Sequence, residues 1–374
     1  MMRSIGIYIH IPFCLQKCLY CDFCSFPDPD GRLTDSYVEA LCRRIIAAAP
    51  QLVDRCADTV YIGGGTPTLL SIDQLSKILS VLRACVTLTE DCEITCECNP
   101  ATADREKLTA MRRMGINRLS IGLQSTDPLE LKALGRAHTV ADFETVFFDA
   151  RKAGFENISA DLMYGIPHQT LDSLTQTLNY LIALAPEHIS AYGLKIEKGT
   201  PFDRQKEALS LPDEDTEYAM YLLCTERLKQ KGYEKYEISN FAKADRVSRH
   251  NLRYWLGGDY LGFGVAAHSL FEGERFGNSR DIAAFLRGED IVVERRRLTE
   301  VDRYNEYLML RMRLTEGIDC ADFQHRFGKS AEDALPLLSH LLENRLLCRR
   351  NGRICFTDAG FFVSNAILSE WISS

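Results

Sequence analysis

Three cysteines near the start of the chain, Cys14, Cys18 and Cys21, have three and then two residues between them and follow a short apolar run. Thiols this close together can bind one metal centre without further ligands, and cysteine thiolates are the ligands of iron–sulfur clusters. A zinc site would need a fourth ligand, usually from a second CxxC pair, and none occurs further along the chain. The spacing therefore predicts a 4Fe-4S cluster with one iron atom left free for a cofactor.

The remaining cysteines have a simpler interpretation. The chain contains 14 cysteines, and a buried cysteine commonly behaves as a small apolar residue. Scattered ones such as Cys42, Cys56, Cys85 and Cys224 are interpreted in this way. Cys24 is ambiguous, and we interpret it as a neutral neighbour of the cluster rather than as a fourth ligand.

The residues around the three cysteines resemble a known family. Tyr20 stands directly before the third cysteine, and the segment before the first is Tyr8-Ile9-His10-Ile11-Pro12-Phe13. The CxxxCxxC motif with this aromatic residue resembles the radical S-adenosylmethionine (SAM) superfamily. The preceding segment resembles its branch of oxygen-independent coproporphyrinogen III oxidases and heme chaperones. The resemblance implies that SAM chelates the open iron, and that electron transfer from the reduced cluster yields a 5′-deoxyadenosyl radical.

Alternating strand and helix patterns must position this loop. The predicted strands are Ile5–Ile9, Thr59–Gly63, Cys92–Cys98, Arg118–Leu123, Ile158–Tyr164 and Ile189–Ile196. The helices predicted between them are Ser36–Ala48, Ile72–Cys85, Ala103–Met114, Val140–Ala153 and Leu171–Leu184. Six βα units in series predict an α/β fold with a parallel sheet, which right-handed crossovers would curl into a partial barrel. The pattern alone also allows a doubly wound open sheet, whereas the resemblance implies a partial (β/α)6 barrel.

Candidate ligand-binding residues follow the second and third strands. Because the carboxyl ends of parallel strands meet on one rim, residues there converge on a ligand. Gly64, Gly65 and Thr66 belong to a glycine-rich turn that lets a ligand approach the main chain closely. Glu97 points opposite to its cysteine neighbours because strand side chains alternate, and it faces the barrel interior if those cysteines pack under helices. The resemblance assigns these four residues to SAM; a plain turn and an interstrand ion pair are the alternatives.

Further polar residues follow the fourth and fifth strands. Gln124 ends the fourth strand, Arg136 follows in a Gly-Arg-Ala-His segment, and Asp161 interrupts the apolar fifth strand. A buried aspartate is costly unless it is paired or binds a ligand, and an arginine can clamp a carboxylate. The resemblance implies that these three, with Tyr8 and Tyr20, line the cofactor region. A salt bridge for the aspartate and an exposed arginine are the alternatives.

A later motif introduces a histidine. His250 lies in an HNxxYW pattern with Tyr254 and Trp255. An imidazole is a suitable axial ligand for heme iron, and the two aromatic rings could cover a porphyrin face. The pattern resembles the heme chaperones and implies that His250 ligates heme. The alternative is a hydrogen-bonded scaffold histidine at the barrel edge.

The last part of the chain has a different pattern. The predicted elements are helices at Val301–Leu314, Cys320–Phe327 and Ala331–Asn344, a hairpin at Leu346–Phe356 and a final helix from about Ala359. Short helices with a hairpin resemble a winged-helix module. We therefore predict a partial barrel over residues 1–240, a connecting region over 241–298 and a small helical, winged-helix-like domain over 299–374.

Composition excludes several classes of function. The chain of 374 residues is 46% hydrophobic and carries 44 basic against 52 acidic residues, a net charge of -8. This charge and the lack of a basic helix argue against nucleic-acid binding and favour a docking role for the last domain. Because His10 and Pro12 interrupt the apolar start, no signal peptide or membrane span is predicted. A reducing cytoplasm is therefore expected.

Two departures distinguish the oxidase from the chaperone. The oxidase pattern has a further cysteine two residues after the third ligand, where this chain has Phe23, and only seven residues precede Tyr8. We therefore predict a heme chaperone without coproporphyrinogen oxidase activity, which binds heme, a 4Fe-4S cluster and SAM. Its expected partners are apo-hemoproteins such as respiratory enzymes and an electron donor such as flavodoxin or ferredoxin. Peripheral membrane contact and a monomer or dimer are further expectations; an oxidase that converts propionates to vinyl groups and a metal-stapled scaffold are the alternatives.

Overall fold

The structure is a computed structural model that describes residues 2–28 and 31–372. Within these residues its main feature is a 12-stranded sheet whose six consecutive central strands are parallel. In chain order they are β1 (Arg3–Ile11), β2 (Arg55–Gly64), β3 (Thr87–Cys98), β4 (Arg118–Gln124), β5 (Ile158–Tyr164) and β6 (His188–Gly193). Later strands pair with β1 and with β6, so these six strands do not close into a ring. The predicted partial (β/α)6 barrel is confirmed.

The crossover helices cover the outside of this sheet. They are α1 (Thr34–Ala48), α2 (Ile72–Cys85), α3 (Arg105–Arg113), α4 (Pro128–Ala133), α5 (Val140–Lys152) and α6 (Leu171–Leu184). Several begin where the sequence offers a capping side chain, as at Ser71, whose hydroxyl accepts from the backbone N–H of Gln74. Such caps satisfy backbone donors that the first turn leaves unpaired. The predicted bounds of α2 and α6 are confirmed, whereas α4 was not predicted.

The sheet continues beyond the barrel on both sides. After α7 (Pro201–Arg204) and the long α8 (Glu214–Gln230), two antiparallel strands, β7 (Glu234–Lys235) and β8 (Asn240–Ala242), extend it next to β6. The region predicted as a connection contributes α9 (Arg249–Leu256), β9 (Tyr260–Phe263), β10 (His268–Phe271), β11 (Glu274–Asn278), α10 (Ile282–Arg287) and β12 (Val292–Arg297). Of these, β9 pairs in parallel with β1. The later chain therefore builds a wall beside the first strand.

Alternation along β1 separates the core from the barrel interior. Ile5, Ile7, Ile9 and Ile11 are completely buried in the main hydrophobic core. Between them, Tyr8 and His10 face the other side, because side chains alternate along a strand. The sheet thus buries aliphatic side chains under the helices and keeps its polar side chains for the interior.

The C-terminal part forms a second hydrophobic cluster. Its helices are α11 (Glu300–Arg311), α12 (Cys320–Phe327), α13 (Ala331–Ala334), α14 (Leu338–Glu343), α15 (Asp358–Phe362) and α16 (Ser364–Trp371), and its strands are β13 (Ile318–Asp319), β14 (Leu347–Arg350) and β15 (Arg353–Phe356). The cluster also includes Tyr221 of α8. The helical module with a hairpin is therefore as predicted, and it packs against the barrel through α8.

Three predicted elements differ from the structure. The single helix predicted at Ala331–Asn344 is wrong, because Pro336 cannot donate a helical hydrogen bond and Leu337 adopts a positive φ of 57°. The final helix is likewise two short ones. The sixth strand ends at Gly193 rather than Ile196, because its partner β5 ends at Tyr164, to whose carbonyl oxygen Leu194 N–H donates at 2.8 Å. No helix in the described part of the chain is long and apolar enough to cross a membrane.

Candidate cofactor site and adjoining groove

The cysteine loop is fixed at its base by backbone pairing. Phe13–Cys14 and Phe26–Pro27 form a short parallel ladder, and Phe26 N–H donates to Pro12 O at 2.7 Å. Between these two ends, Cys21 N–H donates to Cys18 O at 3.2 Å, which closes a turn. All three predicted cluster ligands are free thiols. The loop therefore presents its thiols from a closed base at the end of β1.

The loop shares a cavity of about 330 Å³ with the carboxyl ends of the strands. Eleven of the predicted site residues line it: Cys14, Cys18, Tyr20, Cys21, Gly64, Gly65, Thr66, Glu97, Gln124, Arg136 and Asp161. The structure therefore brings the predicted cluster ligands and the predicted SAM residues of β2 to β5 to one place. Tyr8 and His250 lie outside the lining of this cavity.

Hydrogen-bond donors approach two of the sulfurs. Thr66 Oγ1 lies 3.6 Å from Cys14 Sγ, and Arg136 Nη1 lies 3.7 Å from Cys18 Sγ. Donors to thiolate sulfurs orient the ligands of a metal centre and tune it. Within residues 2–28 and 31–372, no group of three His, Cys, Asp or Glu side chains converges enough to hold a single ion. In a 4Fe-4S cluster each cysteine binds a different iron atom, so the three sulfurs need not converge on one point. Cys14, Cys18 and Cys21 therefore fit a three-cysteine cluster.

The glycine turn after β2 packs directly against the cysteine loop. Gly65 N–H donates to Ile11 O at 2.8 Å, and Thr66 N–H donates to Phe13 O at 2.7 Å. A Cβ on Gly65 would lie 2.6 Å from Phe13 O, closer than side chains approach. Gly64 has a φ of +112°, which favours glycine. The turn therefore supports the loop, a role in addition to the ligand approach that the sequence predicted.

Glu97 is a buried carboxylate at the floor of the cavity. Its Oε1 accepts from Tyr61 OH at 2.9 Å and its Oε2 accepts from Gly64 N–H at 3.0 Å. Burial raises the pKa of Glu97 to about 7, because desolvation disfavours the charged form. On the same strand Cys96 is completely buried in the core, which confirms the predicted alternation. Glu97 is therefore positioned to accept from a polar or cationic ligand.

Asp161 faces the same cavity from β5. Ser120 Oγ donates to its Oδ1 at 3.1 Å. Burial raises the pKa of Asp161 to about 6. The cavity thus contains two carboxyl groups that are partly protonated near neutral pH. Each becomes a better acceptor when a cation enters, because a cation favours the ionised form. Asp161 does not form the salt bridge that was the alternative: among the described residues its hydrogen-bond partners are serine hydroxyl groups.

Arg136 is oriented by a histidine that the sequence interpretation left out of the site. Its Nη2 donates to Gly122 O at 3.0 Å, and its Nε donates to His138 Nδ1 at 3.3 Å. His138 Nε2 contacts Leu123 O at 3.2 Å. Since a carbonyl only accepts, Nε2 carries the proton and Nδ1 is free to accept from the guanidinium. Burial lowers the pKa of His138 to about 4, which keeps the ring neutral in this role.

Two tyrosines and a serine complete the cavity and were not predicted. Tyr61, Ser120 and Tyr192 line it, and the first two hold the carboxylates described above. The available signal was strand alternation: Tyr61 lies on β2 two positions before Gly63, so both residues face the same side. Residue type alone carried no such signal, because tyrosine and serine are common in strands and turns.

A groove of about 320 Å³ adjoins this cavity. It is lined by Tyr8, His10, Asp22, Phe23, Cys24, Tyr254, Tyr260, Ala266, His268 and Arg280. Tyr8 of the groove stacks on Tyr61 of the cavity, with ring centroids 6.2 Å apart and planes at 29°. The predicted cofactor residue Tyr8 therefore belongs to the wall between the two spaces.

Hydrogen bonds define which ring nitrogen of His10, in this wall, carries the proton. His10 Nε2 lies 2.8 Å from Cys24 O, and Tyr8 OH lies 3.0 Å from His10 Nδ1. Because the carbonyl only accepts, His10 Nε2 donates and His10 Nδ1 accepts from Tyr8. Burial lowers the pKa of His10, which favours this neutral tautomer. Cys24 is thus held beside the cluster loop by its backbone rather than by its thiol.

His250 lies beneath the groove and is 0% exposed. Its Nδ1 lies 2.9 Å from Thr59 Oγ1 and its Nε2 lies 2.7 Å from Tyr254 OH. The ring also stacks on Tyr61 at a centroid distance of 5.3 Å. Both nitrogens are therefore occupied in this conformation, and burial lowers the pKa of His250 to about 3. In this conformation His250 has the geometry of the alternative interpretation, in which it is a hydrogen-bonded scaffold histidine.

A partial barrel whose three-cysteine loop shares a cavity with its strand ends defines a radical SAM protein. Residues 8–181 match the family model of the Radical SAM superfamily, and residues 298–363 match that of the HemN C-terminal domain. Membership of the superfamily implies a 4Fe-4S cluster and SAM.

Relatives identify the family within this class. The chain is 35% identical to the heme chaperone HemW of Bacillus subtilis, with 98% of each protein covered. It is 33% identical to the heme chaperone HemW of Escherichia coli, with 100% of this chain and 99% of that protein covered. The chain belongs to the HemW family.

A solved structure shares the whole fold. The coproporphyrinogen III oxidase HemN from Escherichia coli, titled a radical SAM enzyme, matches with a TM-score of 0.88 and 24% identity. The match covers 99% of this chain and 90% of that one. This likeness describes the architecture of the barrel, its sheet extension and the C-terminal module.

Proposed function

We propose that this protein is a heme chaperone, which binds heme and passes it to apo-hemoproteins while its barrel cavity holds a 4Fe-4S cluster and SAM. One observation carries the proposal: the chain aligns over its full length with proteins named heme chaperones. The geometry supports it with a cofactor cavity and a separate, adjoining groove for a second ligand.

Cys14, Cys18 and Cys21 would bind the cluster through their thiolates. When bound, the cluster and SAM supply one-electron chemistry at the sulfonium group. Thr66 and Arg136 donate toward two of the sulfurs, and the ladder at Phe13–Cys14 anchors the loop. These residues keep the thiols facing the cavity.

The remaining cavity residues would bind SAM. Glu97 and Asp161 offer carboxylate oxygens to its cationic and hydroxyl groups, and the turn at Gly64 and Gly65 allows the main chain to approach closely. Gln124, Arg136 and Tyr20 add amide, guanidinium and aromatic contacts from the facing side. Tyr8 contributes from the wall, through its stack on Tyr61.

The role of His250 as an axial heme ligand stays a prediction. For iron to reach its Nε2, the bond to Tyr254 has to open and the buried ring has to become exposed. Replacement by alanine tests this directly: loss of histidine ligation in the heme spectrum supports ligation by His250, and unchanged ligation contradicts it.

The proposal also includes the domain division, the partners, the location and the oligomeric state. We infer a domain division at 1–240, 241–298 and 299–374, with the last module available to dock an acceptor. Respiratory apo-hemoproteins are the proposed acceptors, flavodoxin or ferredoxin the proposed electron donor, and the cytoplasm the proposed location, with peripheral membrane contact during delivery. Whether the working form is a monomer or a dimer follows from light scattering with and without heme.

The test uses anaerobically reconstituted protein. We expect stoichiometric heme binding in a titration, followed by appearance of the holo-acceptor absorbance when an apo-b-type hemoprotein is added. A second arm incubates the protein with coproporphyrinogen III, a reductant and SAM. No protoporphyrinogen is expected, and its formation would overturn the chaperone proposal in favour of the oxidase.

A further inference from the structure

The groove contains an exposed histidine without an assigned role. His268 begins β10 and is exposed, and its side chain has no hydrogen-bond partner among the described residues. Its ring lies over Gly277 of the neighbouring strand, where a Cβ would be 2.8 Å from His268 Nδ1. Because Gly277 has no side chain, there is room for the imidazole of His268. His268 is thus an accessible, unpartnered ring on a rigid strand.

Aromatic rings and an arginine surround this imidazole. Phe23 of the cysteine loop is 65% exposed on the groove, although large apolar side chains usually avoid water. Tyr254 and Tyr260 form an edge-to-face pair with centroids 4.6 Å apart. Arg280 is paired only loosely, with Nη1 3.8 Å from Asp22 Oδ1 and 65% of its side chain exposed. Since both nitrogens of His10 are already hydrogen-bonded, the groove offers apolar faces, one unpartnered imidazole and one available cation.

These features match the chemistry of heme. Heme is a flat apolar ring with an iron atom that takes an imidazole ligand and with two propionates that pair with arginine. The groove volume of about 320 Å³ is at the lower end of the roughly 300–1,000 Å³ typical of small-molecule sites. A heme bound there would keep one edge in solvent.

We propose that this groove is the heme site, with His268 as the imidazole ligand of the iron and Arg280 as a partner of a propionate. The inference rests on the proposed function and names its ligand. His250 then has a positioning role: it holds Tyr254 through Nε2 and supports the groove from below. The exposed edge of heme would be available to an acceptor, which suits a cargo that has to leave.

The experiment compares histidine variants in the full-length, cluster-reconstituted protein. Ferric heme is titrated into wild type, His268→Ala, His250→Ala and His340→Ala, the last an exposed histidine of the C-terminal module that serves as the control. Absorbance and electron paramagnetic resonance report the iron ligand. We expect His268→Ala to lose the histidine-ligated spectrum and to weaken heme binding roughly tenfold or more. His340→Ala should keep the wild-type spectrum and affinity, whereas His250→Ala, which removes a positioning residue, should keep the histidine-ligated spectrum with weaker heme binding.

A rescue experiment separates ligation from folding. In His268→Gly, free imidazole should restore the histidine-ligated spectrum, which a merely structural residue would not allow. A charge test uses heme dimethyl ester: Arg280→Ala should weaken heme binding but leave ester binding as in wild type.

The outcomes are distinguishable. Wild-type ligation in His268→Ala, or loss of ligation in His250→Ala alone, overturns the assignment to His268 while heme binding by the protein stands. If wild type itself binds no heme, the proposed function fails and the assignment fails with it. Iron and sulfide contents equal to wild type in every variant show that the barrel cavity is intact.

Discussion

The barrel cavity and the adjoining groove have almost the same volume but opposite character. In the cavity, Glu97 and Asp161 are already held by hydroxyl and backbone donors. In the groove, the ring of Phe23 is exposed. The imidazole of His268 is exposed without a hydrogen-bond partner among the described residues, and the guanidinium of Arg280 is only loosely paired. A preformed, satisfied site suits a resident cofactor, whereas an open surface suits a ligand that is loaded and released.

The residues of the wall between the two sites are held in place by contacts with one another. Tyr8 and Tyr61 stack across it, and hydrogen bonds from Tyr8 through His10 to Cys24 O tie it to the cysteine loop. Changes on one side should therefore reach the other through this wall or through Phe23, which lines both spaces. The following predictions separate the two sites, from the largest expected effect to the smallest.

Replacing Cys14, Cys18 or Cys21 by alanine should abolish the cluster, because two remaining thiolates cannot retain it. Iron and sulfide analysis after anaerobic reconstitution should give values near zero for each variant. The matched control is Cys24→Ala, which should retain both elements. Loss of the cluster in that control would make Cys24 a ligand and would contradict the three-cysteine site.

SAM affinity should increase as the pH rises through about 6 to 7. Burial raises the pKa of Glu97 from 4.5 to about 7 and that of Asp161 from 3.8 to about 6, and a cationic ligand favours the ionised carboxylates. Glu97→Gln should lower SAM affinity by about tenfold and flatten its pH dependence. Calorimetric titrations at several pH values measure this, with the exposed Glu90→Gln as the control.

The same carboxyl groups affect the stability of the ligand-free protein. Between the unfolded and folded pKa values the folded chain binds more protons than the unfolded chain, so the free energy of unfolding decreases as pH rises from about 4 to 7. Denaturant unfolding at pH 5 and pH 7.5 should show a smaller decrease in Glu97→Gln than in wild type. An equal decrease in both would remove Glu97 as its source.

Gly277→Ala should weaken heme binding several-fold without changing the cluster. The new methyl group would lie 2.8 Å from the His268 ring, so the imidazole has to move from its position over the strand. Heme titration measures the effect, and the iron, sulfide and SAM affinity of the same variant are the internal controls. A heme affinity equal to that of wild type would mean that the ring position does not matter.

Tyr254→Phe should have the smallest effect. It removes the hydroxyl that contacts His250 Nε2 at 2.7 Å, which should cost about 1 kcal/mol in the free energy of unfolding and change heme affinity little. If His250 were the ligand, the variant would free its Nε2 and heme affinity would rise. Urea unfolding and heme titration of the same sample decide between these outcomes, with Tyr260→Phe as the control.

The cofactor cavity was largely predictable from the sequence. The CxxxCxxC loop and the glycine turn follow strand ends, and Glu97 and Asp161 are single acidic residues within strands whose carboxyl ends the parallel sheet brings together. The positions of Tyr61 and His138 were less predictable, because their roles depend on which side chain they contact across strands. Local pattern specified the elements well, except where Pro336 divided a helix.

The groove was not predictable in the same way. Its residues come from β1, the cysteine loop, α9, β9, the turn before β10, β10 and the segment after β11, and they meet because β9 pairs in parallel with β1. Sequence separation hid this contact. The HNxxYW motif indicated His250, which is buried and whose role as a heme ligand stays a prediction, and gave no indication of the exposed His268. Burial is a property of packing, so a motif cannot state it.

By itself, the sequence predicted the cluster ligands and determined the order of the six βα units, because spacing and alternation are local properties of the chain. Only the tertiary structure decided which histidine faces solvent, which tyrosine contacts Glu97 and which residues line the groove. The groove depends on strand pairing between residues more than 200 positions apart, such as Tyr8 with Gly262, and the contact of Tyr61 with Glu97 depends on the pairing of β2 with β3. No local pattern encodes that pairing.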